Sequence, residues 1–161
     1  MCGRPSRTRR ETGMTVSIRN AQRRVAIDVE RLRRDANFLL DALGLKSREL
    51  SILLSNDETM KGLNARYRGK PQTTDVLSFP LADAGCGAPG CEILLGDVVL
   101  NVHLAARSSH ETGHPLPLMI RRLLVHGVLH LAGYDHEDDP SGARRMSRKE
   151  RQLLDALAKM D

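Results

Sequence analysis

Three histidines fall within eleven residues of this chain, His126-Gly-Val-Leu-His130-Leu-Ala-Gly-Tyr-Asp-His136. His126 and His130 are four apart, so a helix stacks them on one face, a turn apart. Gly133 can take the left-handed conformation that ends a helix, which lets the chain turn back and bring His136 to the same point. Three neutral imidazoles aimed at one point make a metal site, and three protein ligands leave a position open for water, the pattern of catalytic zinc. Zinc is the first choice on ligand type, one ion per chain, although imidazole also suits copper, nickel and iron. The plain alternative for a four-apart pair is two ordinary helix histidines. The third histidine weighs against it, as do Leu124, Val125, Val128, Leu129 and Leu131, among which imidazoles without partners would be costly.

The spacing of four and then six is that of the metzincin proteases, His-Glu-x-x-His-x-x-Gly-x-x-His. Even the glycine matches, at Gly133. The glutamate that serves those enzymes as general base would fall at position 127, where this chain has Gly127. Peptide hydrolysis there would lack its proton acceptor. Met146 stands downstream, as the Met-turn of those enzymes does, but it sits in a charged helical stretch and reads as a core position.

Alternating elements must position these groups. Thr15–Ile18 is strand-like. Asp28 caps a helix whose inward face is Val29, Leu32, Ala36, Leu39, Leu40 and Leu43, with Gly44 as its stop. Residues 49–54 read as a partly buried strand, and Ser55–Glu58 as a capping box opening a helix with Met60, Leu63 and Tyr67 on one side. A loop follows over 68–75, then a short strand 76–79 stopped by Pro80. Residues 82–91 are a Gly- and Ala-rich loop. Strand 93–100 contains Gly96, a sign of a bulge or a close backbone approach. Asn101 caps the next helix, Pro115–Ala132 is the long apolar helix carrying His126 and His130, and Asp139 with Pro140 opens a last helix facing inward through Met146, Leu153, Leu154 and Leu157. The class expected is α+β, a single domain with a small sheet covered by helices.

The chain has 161 residues, 40% of them apolar, enough for an ordinary core. No apolar run is long enough to cross a bilayer and no secretory segment opens the chain, so a cytoplasmic location away from membranes is expected. The formal charge is +5, and residues 1–13 carry +3 of it through Arg4, Arg7, Arg9 and Arg10 against Glu11. That segment reads as a basic disordered tail ahead of a domain over 14–161, with Met14 an alternative start. The mildly basic body suits a polyanionic partner. Cys86 and Cys91 read as free thiols in a loop, with a small disulfide or a second metal clip as alternatives.

The histidine segment resembles the signature of the YbeY family, the bacterial rRNA maturation factors and endoribonucleases. Leu63-Asn64-x-x-Tyr67-Arg68-Gly-Lys70 with Thr74-Asp75-Val-Leu-Ser-Phe-Pro80 resembles that family's central block, and Leu95-Gly96-Asp97-Val-Val its strand before the histidine helix. The resemblance spans about residues 14–160. It implies a small mixed sheet of about four strands and a zinc held by His126, His130 and His136, with His126 and Arg68 functional. It implies a metal-dependent endoribonuclease specific for single-stranded RNA, acting in 16S rRNA 3′-end maturation and ribosome quality control. Its implied partners are the small ribosomal subunit and an assembly GTPase. A guanidinium at position 68 offers a fork of donors matched to phosphate oxygens, though on sequence alone Arg68 is a solvated residue after a helix. Lys70 offers a weaker second phosphate contact. Asp135 reads as a partner orienting a histidine. Asp75 and Asp97 read equally as acids or caps, Tyr134 as packing, and His103, His110 and His114 as surface residues. Arg121, Arg122, Arg144, Arg145, Arg148, Lys149 and Arg151 form either a basic rim for RNA or a solvated face. Two other functions compete: a ribosome-assembly factor whose zinc is structural or RNA-binding, and a metzincin-like metallopeptidase.

Overall fold

The computed structural model describes residues 15–81, 93–134 and 139–161. The basic N-terminal segment, the loop holding Cys86 and Cys91, and the residues Asp135 and His136 lie outside these. In chain order the elements are β1 (Val16–Asn20), α1 (Val29–Ala42), β2 (Glu49–Ser55), α2 (Asp57–Arg68), β3 (Val76–Pro80), β4 (Leu94–Asn101), α3 (Val102–Thr112), α4 (Leu116–Leu131) and α5 (Pro140–Ala158). The class is the α+β expected. One mixed sheet has strand order β1-β2-β4-β3, with β1, β2 and β4 parallel and β3 antiparallel to β4.

Alternation along β4 sorts the molecule into two layers around this sheet. Val98 and Leu100 face the main core, where they join Leu39 and Leu40 of α1 and Leu124, Val125, Val128 and Leu129 of α4, all buried. Val99 faces the other way, against Leu77 of β3 and Met60 of α2. Helix α4 packs against β3, β4, α1, α3 and α5, so the histidine-bearing helix is the centre of the covered face.

The local signals explain most boundaries. Asp28, Asn101 and Asp139 each accept a hydrogen bond from a backbone N–H in the first turn of the helix that follows. The strand ends and the end of α2 lie one or two residues from their expected places, and two boundary residues act otherwise than expected. Ser55 does not cap α2; it is 1% exposed, ends β2 and pairs with Asn101, and the cap passes to Asn56, which accepts from the Thr59 N–H. Pro80 does not stop β3 but ends it, opposite Gly96. As the final residue of an edge strand it breaks no interior ladder. Gly96 fulfils both readings of its sequence position. The β2–β4 register shifts between Glu49 and Leu50, and Gly96 has φ +151 with no room for a Cβ beside the Phe79 carbonyl and the Leu131 side chain.

One polar knot ties α2, α3 and the 73–75 loop together. Asp57 accepts from Arg107 at 2.6 and 3.0 Å, from Asn101 Nδ2 at 2.9 Å and from Thr73 Oγ1 at 3.0 Å. Asn101, fully buried, also donates to the Thr74 carbonyl. The Arg107 hydrogen bonds hold the Asp57 carboxyl well below the usual carboxylate range, against the push of partial burial, with Asn101 and Thr73 adding to the effect. A depressed folded pKa means that the unfolded chain binds this proton more readily. The stabilisation is therefore present above the unfolded value of about 4 and is lost as pH falls toward the folded one. Denaturation midpoints measured from pH 6 down to pH 2 should fall more steeply in the wild type than in Asp57→Asn.

Candidate metal centre

Helix α4 opens with Pro115 as its N-cap residue and Pro117 in its first turn, where a missing N–H costs little. It ends as the sequence predicts. Gly133 has φ +97, its N–H bonds to the His130 carbonyl at 3.1 Å, and the Tyr134 N–H bonds to the Leu129 carbonyl at 3.0 Å. These two bonds are a Schellman motif, which turns the chain out of the helix immediately before Asp135 and His136.

Between its ends α4 rests on the sheet at Gly127, where there is no room for a side chain. A Cβ there would stand 2.7 Å from Val98 Cγ1, 3.2 Å from Val76 Cγ2 and 3.3 Å from Ser78 Oγ. Ser78 Oγ donates to the Gly127 carbonyl at 2.9 Å, fastening the helix to β3. The position where metzincins keep their base is thus a helix–sheet contact point.

His126 and His130 meet as the four-residue spacing requires. Their rings pack edge to face with centroids 4.6 Å apart, and their Nε2 atoms are 3.1 Å apart. Two imidazole nitrogens bound to one tetrahedral zinc at about 2.0–2.1 Å stand about 3.3–3.4 Å apart. The pair therefore needs a shift of only a few tenths of an ångström to hold an ion, and the separation equally suits an N–H···N hydrogen bond. On its other side His126 Nδ1 is 2.6 Å from Glu150 Oε1 of α5. Among the described residues no group of three His, Cys, Asp or Glu side chains converges on a cation site, and the third expected ligand, His136, lies outside them.

The remaining expected residues distribute as follows. Arg68 is exposed in the last turn of α2, with Arg66 in the same turn and Lys70 exposed just beyond. Helices α2 and α4 cover opposite faces of the sheet, and no hydrogen bond or ion pair joins Arg68 to either histidine among the described residues. Tyr67 is 60% exposed and sits edge-on to Phe79 at 5.1 Å. Tyr134 packs on the main core, and Met146 is buried in it. Asp75 is exposed, and its backbone carbonyl accepts from the Asn101 N–H. Asp97, in β4, lines an open groove with Arg19 and Tyr67 on the α2 face. His110 and His114 are exposed; His103 is half-buried, 3.3 Å from Gln22 Oε1. Arg121 is no part of a basic rim, because it is buried against Asp35 and Asp161. Arg122, Arg144, Arg145, Arg148 and Arg151 are exposed.

A protein-family model described as Endoribonuclease YbeY matches residues 17–158. The chain belongs to the YbeY endoribonuclease family. It is 45% identical over 143 residues to Endoribonuclease YbeY of an Anaeromyxobacter species, covering 89% of this chain and 72% of that one. Against the YbeY of Geobacter metallireducens it is 40% identical, covering 89% and 96%. Against that of Aquifex aeolicus it is 38% identical, covering 89% and 92%. A Thermotoga maritima protein solved in solution shares the fold, with a TM-score of 0.62 at 21% identity over 88% of each chain. The YbeY match takes in all of α4, both described histidines and Glu150. No helix among the described residues is long and apolar enough to cross a membrane.

Sequence reasoning missed Glu150, and a signal for it was present. Met146, Glu150, Leu153 and Leu157 recur at helical spacing along α5, and the other three are buried. A carboxylate in an inward-facing stripe needs a partner, here His126.

Proposed function

We propose that this chain is a zinc-dependent endoribonuclease specific for single-stranded RNA, acting in the cytoplasm in 16S rRNA 3′-end maturation and ribosome quality control. The observation that carries the proposal is the His126–His130 pair, its Nε2 atoms 3.1 Å apart, in a chain of the YbeY family. His126 and His130, with His136 three residues beyond Gly133 in the sequence, are the residues that would hold the zinc. When bound, zinc supplies Lewis acidity and lowers the pKa of water to about 7. The protein's own part is to aim the imidazoles and to bind the polyanion. Arg68, exposed beside Arg66 and Lys70, offers its guanidinium to phosphate oxygens. By the same reading the partners are the small ribosomal subunit and an assembly GTPase. The peptidase reading loses support, since position 127 has no room for a base.

The test is cleavage of a labelled single-stranded RNA and of its duplex by purified protein. The single strand should be cut, chelation should stop cutting and zinc should restore it. His126→Ala should behave like the chelated wild type, and Arg68→Ala should cut more slowly with zinc binding unchanged. Cutting that persists in His126→Ala, or after chelation, defeats the proposal. Binding to the small subunit without any cleavage would replace it by an assembly role.

A further inference from the structure

The geometry points to Glu150 as a positioning residue of this centre: its carboxylate accepts a hydrogen bond from the Nδ1–H of His126 and so turns the Nε2 lone pair toward His130. The inference rests on the metal-site reading above and deepens it by adding a residue from a different helix.

An ionised carboxylate only accepts hydrogen bonds. Nδ1 of His126 stands 2.6 Å from Glu150 Oε1, which places it to donate to that oxygen in the Nδ1–H tautomer. In that tautomer Nε2 carries the ring's lone pair, and Nε2 is the atom 3.1 Å from His130 Nε2. The tautomer needed for binding a cation is thus set from α5, 24 residues along the chain. A histidine that ligates a metal through one nitrogen commonly donates from the other to a carboxylate, which fixes the ring and raises its basicity.

A plain inter-helix hydrogen bond is the competing account. Two features speak for positioning. Both side chains are about two-thirds buried, at 33% and 28% exposure, so the contact is shielded from water more than a surface pair is. Glu150 also shares the helical stripe of Met146 and Leu153, both buried, and is itself partly buried rather than on the exposed face of α5.

Zinc affinity of the full chain, measured by competition with a chromophoric chelator, tests this without any use of activity. Glu150→Gln keeps the shape and an acceptor oxygen but loses the charge, and should weaken zinc binding about tenfold. Glu150→Ala should weaken it up to about a hundredfold. Asp155→Asn, an exposed acid on the same helix, should leave it unchanged. In the zinc-loaded wild type, nitrogen-15 NMR should show His126 protonated at Nδ1, with that proton exchanging faster in Glu150→Ala. Wild type that binds no zinc sinks the metal reading itself. Wild type that binds zinc while both Glu150 variants bind it equally well, with only their melting temperatures lowered, sinks the positioning role alone.

Discussion

Truncating Arg121 to alanine should destabilise the fold by about 3–5 kcal/mol, among the largest effects available to a single change here. Arg121 is 6% exposed and Asp35, its partner on α1, 4%. Nε and Nη2 of Arg121 donate to Asp35 at 2.9 and 3.2 Å, while Nη1 and Nη2 donate to Asp161 at 2.8 and 3.0 Å. The guanidinium thus joins α1 and α4 to the residues following α5. Removing it strands the Asp35 carboxylate, whose other cation, Arg34, is 44% exposed and bonds at 3.3 Å. The cost arises from that stranded charge rather than from the net worth of the pair, so Arg121→Met with Asp35→Leu should recover most of the loss. Urea denaturation of the two singles and the double tests this. A single mutant within about 1 kcal/mol of wild type, or a double no better than the singles, would refute the account. Because Arg121 is buried, the double variant should bind RNA as the wild type does.

That residue also shows where sequence reading ran out. Its neighbours on α4 were legible because helical period and apolar type coincide: Leu124, Val125, Val128 and Leu129 are all in the core. An arginine beside them carries no mark of burial, since the mark is the acid opposite, 86 residues away on α1. The histidine pair was legible because a four-residue spacing is a local property of a helix, and the Schellman turn because Gly133 announces it. Glu150 was not, since its meaning depends on α5 crossing α4. Nor could the sequence place α2 and α4 on opposite sides of the sheet, where they pack into two separate cores. Caps moved by one residue, as at Asn56, because strand pairing claimed Ser55 first.

Gly127→Glu should yield little or no folded protein. The first added atom already collides: a Cβ would lie 2.7 Å from Val98 Cγ1, on a stiff β-branched side chain of a central strand. Overpacking of that kind costs about 1–3 kcal/mol. Alanine at 127 regains up to about 1 kcal/mol of helix propensity, so Gly127→Ala should fold with a modestly lowered melting temperature. Glutamate adds a carboxylate between Val76 and Val98, and an unpaired buried charge costs several kcal/mol more. That approaches the whole stability of an ordinary domain. Soluble Gly127→Glu with a cooperative transition near that of wild type would disprove this packing account. The consequence reaches the chemistry. A glutamate cannot be added at 127 to ask whether the metzincin base would restore peptidase activity, because the variant loses its helix–sheet contact before the metal matters. Helix α4 can lie on β3 and β4 at Gly127, or it can carry a base there, and this chain takes the first course. Position 127 then supplies no proton acceptor for RNA cleavage, and the carboxylate that stands beside the histidine pair among the described residues, Glu150, is already bonded to His126 Nδ1.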